Sequence, residues 1–189
     1  NGGSSRLISF LKDERFKYTL GIILMLISFY LLVSFISYFF HWKTDQDFRW
    51  NDIFSGPEVT VMNQGGKWGA WLSDVFLNQW FGLSSLALPF LMIIWSLKLF
   101  NIDQIKGLKI TRNALILVLI SSVTMGLIFQ SGSGFLGSGP GGAIGYHISR
   151  WMIAALGTTG TSFTLIILFS TYFIFTTNII HFIKKISFS

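Results

Sequence analysis

Runs of uncharged, mostly apolar residues alternate with polar, charged segments along this chain of 189 residues. Residues 19–40, 75–97, 113–129 and 151–183 contain no Asp, Glu, Lys or Arg. A helix rises about 1.5 Å per residue, so about 20 apolar residues cross a hydrocarbon core about 30 Å thick. The pattern predicts an all-α, polytopic membrane protein. Its four spans are expected at about residues 18–40, 81–97, 113–130 and 161–183.

The segments between the spans carry a second pattern. Leu7, Ile8, Phe10, Leu11 and Phe16 sit among basic residues, which predicts a short amphipathic helix on the membrane surface. In residues 67–81, Trp68, Trp71, Leu72, Val75, Phe76 and Trp80 are apolar, while Lys67, Asp74 and Asn78 recur on another helical face. In residues 143–156, Ile144, Ile148, Trp151, Met152 and Ala155 share a face, and His147 and Arg150 lie opposite. Both stretches are predicted to be interfacial helices on the outer membrane surface. Pro89 falls inside the second span and is expected to kink it by freeing the carbonyl of Ser85.

The two connections repeat one design. Gly65-Gly66-x-x-Gly69-x-x-x-Ser73 matches Gly141-Gly142-x-x-Gly145-x-x-x-Ser149. Each copy opens an amphipathic helix. Each helix is then followed by a glycine, Gly82 in the first copy and Gly157 or Gly160 in the second, and by a span. The chain therefore reads as two hairpins of one design, related by an axis along the membrane normal.

Charge orients the hairpins. Ten Lys and Arg lie in the N-terminal tail, the second connection and the C-terminal end, against four in the first and third connections. Asp45, Asp47, Asp52, Glu58 and Asp74 lie on the basic-poor side. The positive-inside rule predicts both termini in the cytoplasm. Residues 1–17 then form a cytoplasmic lead-in, 18–185 a four-span membrane domain, and 186–189 the start of a cytoplasmic linker. The net charge of +6 is thus a topology signal and a means of contacting anionic headgroups, since no run of four basic residues marks a nucleic-acid site.

Composition narrows the chemistry. Hydrophobic residues make up 51% and charged residues 12%, and there is no cysteine, so disulfides, Cys-ligated zinc and thiol catalysis are excluded. The four apolar cores contain no ionisable residue of the kind that marks an ion path, as a coupled transporter would require. His41, His147 and His181 are scattered and suggest no shared metal. The glycine run at 132–145 lacks the Gly-Lys-Ser/Thr ending of a phosphate loop. No Gly-x-Ser-Gly nucleophile occurs. Ser28, Ser34, Ser37, Ser121 and Ser122 are expected to bond to backbone or to let helices approach. No catalytic residue, cofactor or metal is predicted. The candidates for turns and assembly are Gly65, Gly66, Gly69, Asp74, Gly82, Pro89, Gly141, Gly142, Gly145 and Gly157. Asp74 is expected at the surface, capping the helix or pairing with Lys67 or Asn78. A small oligomeric transporter or channel subunit is the alternative function, and an intramembrane enzyme the third.

The arrangement resembles the N-terminal membrane domain of FtsK/SpoIIIE-type DNA translocases. The resemblance is carried by Asn63-x-Gly65-Gly66-x-x-Gly69-Ala70-Trp71-Leu72-Ser73-Asp74, by Trp80-Phe81-Gly82-Leu83 and Pro89, and by Gly141-Gly142-x-x-Gly145 with Leu156-Gly157 and Gly160-Thr161. The Phe-rich character resembles versions from Bacteroidetes-like bacteria. The resemblance implies a multi-pass anchor in the bacterial inner membrane, at the division septum. It implies homo-oligomers, typically hexamers, and contacts with the lipid bilayer and with other division proteins. DNA would be reached only through a motor expected beyond Ser189, so no ATPase residue carries over.

Overall fold

The computed structural model describes residues 13–46, 48–102, 104–129 and 134–177. Among these the chain is helical, with no strand. Helix α1 is Glu14–Asp45, followed by a 3₁₀ turn Trp50–Phe54. Helix α2, Gly66–Ser73, passes directly into a π-helical stretch Asp74–Trp80. A 3₁₀ turn Gly82–Leu86 leads into α3, Ala87–Leu99. Helix α4 is Gly107–Phe129 and α5 is Gly142–Thr176. Four helical stretches are long and apolar enough to cross a membrane: α1, Gly82–Leu99, α4 and α5. The amphipathic helix expected at residues 6–17 lies mostly outside the described residues, as do the linker at 186–189 and the end of the span expected at 161–183.

The second surface helix and the fourth span are one helical run in the structure, interrupted at Gly157, whose φ of 71° and ψ of 169° are not helical. Pro89 produces no mid-span kink. The α-helix begins only at Ala87, so Pro89 occupies the first turn, where its missing N–H has no helical acceptor to lose.

The chain divides into two compact units that are not the two consecutive hairpins of the repeat. One comprises Asn1–Ser73 and Leu86–Thr111, the other Asp74–Ser85 and Arg112–Ser189. The last part of the first connection therefore folds with the second hairpin.

In the first unit, α1 packs along α3 and against α2. The inward face of α1 combines small and hydroxyl residues with a few large side chains. Gly21, Ser28, Leu31, Ser34, Phe35, Ser37 and Tyr38 are buried, while Ile22, Leu26, Phe29, Val33 and Phe40 are exposed. Lipid is as apolar as leucine, so close backbone approach and hydroxyl bonds drive helix contact in a bilayer. Ser28 Oγ donates to the Pro89 carbonyl at 2.6 Å, and Ser96 Oγ donates to the Gly21 carbonyl at 2.7 Å. These bonds clamp α1 to α3 at two levels. At the foot of α3, Tyr18 stacks on Phe100 and Trp95 Nε1 donates to Thr111 Oγ1 at 2.9 Å.

In the second unit, the π-helical stretch packs on α5. The face of α5 that is buried there is Gly142, Gly145 and Ser149, while Trp151 is exposed. The sequence pattern grouped the large apolar residues on one face of a surface helix. A helix contacts its neighbour most closely through small residues and leaves its large ones to lipid.

Candidate assembly site at the two glycine corners

Each copy of the Gly-Gly repeat begins a helix from a left-handed residue. Gly66 has φ of 63° and Gly142 has φ of 67°. A Cβ makes that region costly, which explains why glycine stands at both positions. The glycine that closes each copy is also left-handed: Gly82 at 63° and Gly157, not Gly160, at 71°. The two copies differ in length by one residue. Sixteen residues separate Gly66 from Gly82 and fifteen separate Gly142 from Gly157. The longer copy holds its additional residue in the π-helical stretch, a wide turn that accommodates one insertion without unwinding the helix.

The first corner is seated on α1 by side chains. Asn63 is buried. Its Nδ2 donates to the Ser34 carbonyl at 3.0 Å and its Oδ1 accepts from Gly65 N at 2.9 Å. Tyr30 Oη donates to the Gly65 carbonyl at 2.6 Å, and Gln64 N donates to Ser37 Oγ at 2.9 Å. Met62 N donates to Asp45 Oδ1 at 3.0 Å, and Asp45, at the end of α1, is fully buried. The strap from Met62 to Gly65 is thus stitched to one face of α1. Gly69 lies over Ser34, where a Cβ would meet Ser34 Oγ and Asn63 Oδ1, each at 2.7 Å. Lys67 donates to the Ser55 carbonyl, Ser55 Oγ and the Gly56 carbonyl, each at 2.8 Å, rather than pairing with Asp74. Outside the corner, Trp50, Phe54, Trp68 and Trp71 meet edge to face at 4.7–6.3 Å.

The second corner is seated on α4 by backbone. Ser122 Oγ donates to the Gly141 carbonyl at 2.7 Å. A Cβ on Gly141 would meet Gly126 N and the Ser122 carbonyl at 2.6 Å, and one on Gly145 would meet the Ser122 backbone. Gly126 faces the Gly145 carbonyl equally closely. Gly82 and Gly142 also stand wall to wall: a Cβ on either would strike the other's backbone or its neighbour's. Leu83 N donates to the Pro140 carbonyl at 2.9 Å beside them.

Asp74 is buried here rather than displayed at the surface. Its two carboxylate oxygens accept from Asn78 Nδ2 and Gln79 Nε2, each at 2.8 Å. Asn78 Oδ1 then accepts from Ser138 N at 2.9 Å and Ser138 Oγ at 2.7 Å. The carboxylate therefore orients an amide that holds the tip of the glycine-rich segment. A buried carboxylate needs such donors, and the one-residue step between Asn78 and Gln79 in the π-helical stretch brings two amides onto it.

Sequence reasoning selected the glycines and the serines but not their partners. Asn63 stands inside the quoted motif, yet nothing in its spacing identifies Ser34 as its acceptor. Gly126 lies alone in a span and gave no signal. His41 Nδ1 lies 3.1 Å from the Ser37 carbonyl within its own helix, His147 is exposed against Tyr146, and His181 is outside the described residues. Among the described residues no three His, Cys, Asp or Glu side chains come together as metal ligands.

Four apolar helical stretches, held within each unit by serine hydroxyls and glycine contacts, with glycine-rich corners at the loop ends, define a multi-pass, four-span membrane domain. The family model describing the 4TM region of DNA translocase FtsK/SpoIIIE matches residues 13–187, and the chain belongs to that family. No curated protein and no solved structure matches it.

Proposed function

We propose that this domain anchors a septal DNA translocase in the bacterial inner membrane and holds its subunits together during cell division and chromosome segregation. The match over residues 13–187 to the membrane region of that translocase family carries the reading. Two features support it. The four spans bury no Asp, Glu, Lys or Arg within their cores, which suits an anchor better than an ion path. The structure also invests its buried polar groups in fixing loop ends, where a rigid surface for a second copy or another division protein is needed. The distribution of lysine and arginine supports a reading with both termini in the cytoplasm, the side on which a motor would meet DNA. The domain itself performs no catalysis in this reading; its partners are the bilayer, further copies of itself in a ring, and division proteins.

The test is the native protein in its own membranes. Intact mass with peptide mapping is expected to reveal a chain several times 21.3 kDa with a Gly-x-x-x-x-Gly-Lys-Ser/Thr peptide after Ser189. A fluorescent fusion of the domain is expected at the septum. A native chain ending near Ser189, dispersed over the envelope and carrying solute flux in liposomes, would replace the anchor with a transporter subunit.

A further inference from the structure

A groove of about 460 Å³ lies between the first half of α4 and the last turns of α5, in the second unit. Ile116, Ile120, Leu168, Tyr172 and Phe175 line it, and Arg112 stands at one end. Its volume falls in the ordinary range for ligand sites, roughly 300–1,000 Å³. Arg112 to Ile120 spans eight residues, roughly 12 Å of helix, close to the depth of one hydrocarbon leaflet. The groove is thus charged at the end of a span and apolar along the length of an acyl chain. Ile120, buried, lies deepest, while Phe175 at the rim is 84% exposed.

Arg112 has no acid to pair with in this part of the chain. Residues 104–189 contain no Asp or Glu, and the one acid of the unit before them, Asp74, accepts from Asn78 and Gln79. Among the described residues the guanidinium donates to Asn113 Oδ1, at 3.4 Å. An arginine fork favours a phosphate, and a tail of hydrocarbon suits the remainder of the groove.

We propose that the groove between α4 and α5 is a binding site for a single anionic phospholipid, with its phosphate on Arg112 and an acyl chain along Ile116, Ile120 and Leu168. The chain's own C-terminal residues are a poor occupant, because Lys184 and Lys185 carry the same sign of charge as Arg112. A second copy would bring another apolar helix but no acid from the corresponding region to meet the arginine.

The experiment is native mass spectrometry of the full chain released from nanodiscs holding equal phosphatidylglycerol and phosphatidylcholine. The wild type is expected to retain one phosphatidylglycerol in preference to phosphatidylcholine. Arg112→Gln is expected to reduce that retention about fivefold, the factor that one basic residue near an anionic surface contributes. Arg112→Lys should restore part of it. Leu168→Trp, which fills the groove and leaves the charge, should reduce retention as far as Arg112→Gln does. Lys109→Gln, which alters a cation outside the groove, should leave it unchanged. Equal losses in Lys109→Gln and Arg112→Gln, or no preference for the anionic lipid, would overturn the site. Because the chain has no cysteine, Phe175→Cys reads the competing occupant directly. Disulfide dimers formed far above the yield of Phe163→Cys would give the groove to a second copy. A chain ending at Thr177 that gained bound lipid severalfold would give it to the C-terminal residues. Either result overturns the proposal.

Discussion

The two glycine corners share a sequence pattern and a backbone conformation, yet they are built from different materials. Gly66 and Gly142 hold the same left-handed φ, but open space surrounds Gly66, whereas the backbones of Trp80 and Gly82 wall in Gly142. The first corner is held by the side chains of Asn63, Tyr30, Ser34 and Ser37, the second by backbone against backbone at Gly126, Gly141 and Gly145. One repeated motif therefore meets two separate demands. The turn requires glycine for its dihedral angle in both copies. Only the second copy also requires it for space.

The sharpest way to break this comparison is a matched pair of alanines. Gly142→Ala combines left-handed strain of roughly 1–2 kcal/mol with overpacking of roughly 1–3 kcal/mol against atoms that cannot rotate away. Gly66→Ala carries the strain alone. For a chain of this size 1 kcal/mol shifts Tm by about 2–4 °C. Thermal unfolding in detergent is expected to show Gly142→Ala lower by roughly 8 °C or more and Gly66→Ala by roughly 4 °C. Equal losses would mean that the second corner relaxes and that its close approach is not a constraint.

The next contrast separates rigid from yielding neighbours. Gly145→Ala forces a methyl into the Ser122 backbone and requires α4 and α5 to separate. Gly69→Ala meets Ser34 Oγ and Asn63 Oδ1, which can rotate at the loss of a hydrogen bond. Losses of about 3 kcal/mol for the first and about 1 kcal/mol for the second are expected. In the proposed oligomer, subunit crosslinking should fall with Gly145→Ala and survive Gly69→Ala, provided that α5 contributes to the assembly surface.

The third effect falls on the first corner only. Asn63→Ala removes a donor to the Ser34 carbonyl and an acceptor of Gly65 N, and leaves both partners buried. A loss of about 1–3 kcal/mol is expected. Limited proteolysis between Met62 and Gly66 should rise with it, because the strap loses its central stitch. No change in cleavage would show that Tyr30 and Ser37 hold the strap without Asn63.

How much of this was legible beforehand follows the same division. The spans were legible because uncharged length is a direct consequence of the bilayer. The left-handed glycines were legible as a repeated Gly-Gly pair. The inward faces were not. Periodicity placed Trp68 and Trp151 on the apolar faces of surface helices, but it did not show that Gly69, Ser73, Gly145 and Ser149 would be the residues that lie inside. The interleaving of the units was also hidden. Nothing local marks the boundary between the units at Ser73 and Asp74, while the contacts beyond it include Asn78 with Ser138, sixty residues away. Asp74 was expected at a surface because a carboxylate usually lies there; Asn78 was among its expected partners, but Gln79 was not visible without the π-helical register.

The smallest expected effect sharpens the comparison at the other end of the repeat. Gly82 and Gly157 close the two copies with similar φ, but Gly82 is pressed against the Pro140 carbonyl and Gly157 has nothing within 4 Å of a Cβ. The ψ of 169° at Gly157 belongs to a region occupied almost only by glycine, at about 1–3 kcal/mol of strain for any other residue. Gly157→Ala has a means of escape that Gly82→Ala lacks. The residues on both sides are already helical, so closing the break replaces the strained angle with one more turn of α-helix, and Tm should change by less than about 3 °C. The geometry should change instead. Spin labels at Trp151→Cys and Phe163→Cys, in a chain with no native cysteine, span the break. Twelve residues of uninterrupted helix place their backbones roughly 18 Å apart. A distance distribution that narrows towards that separation in Gly157→Ala, with stability nearly intact, would show that glycine alone keeps α5 broken. An unchanged distribution would place the cause of the break in the packing around α5, and the two closing glycines would then differ in role as well as in surroundings.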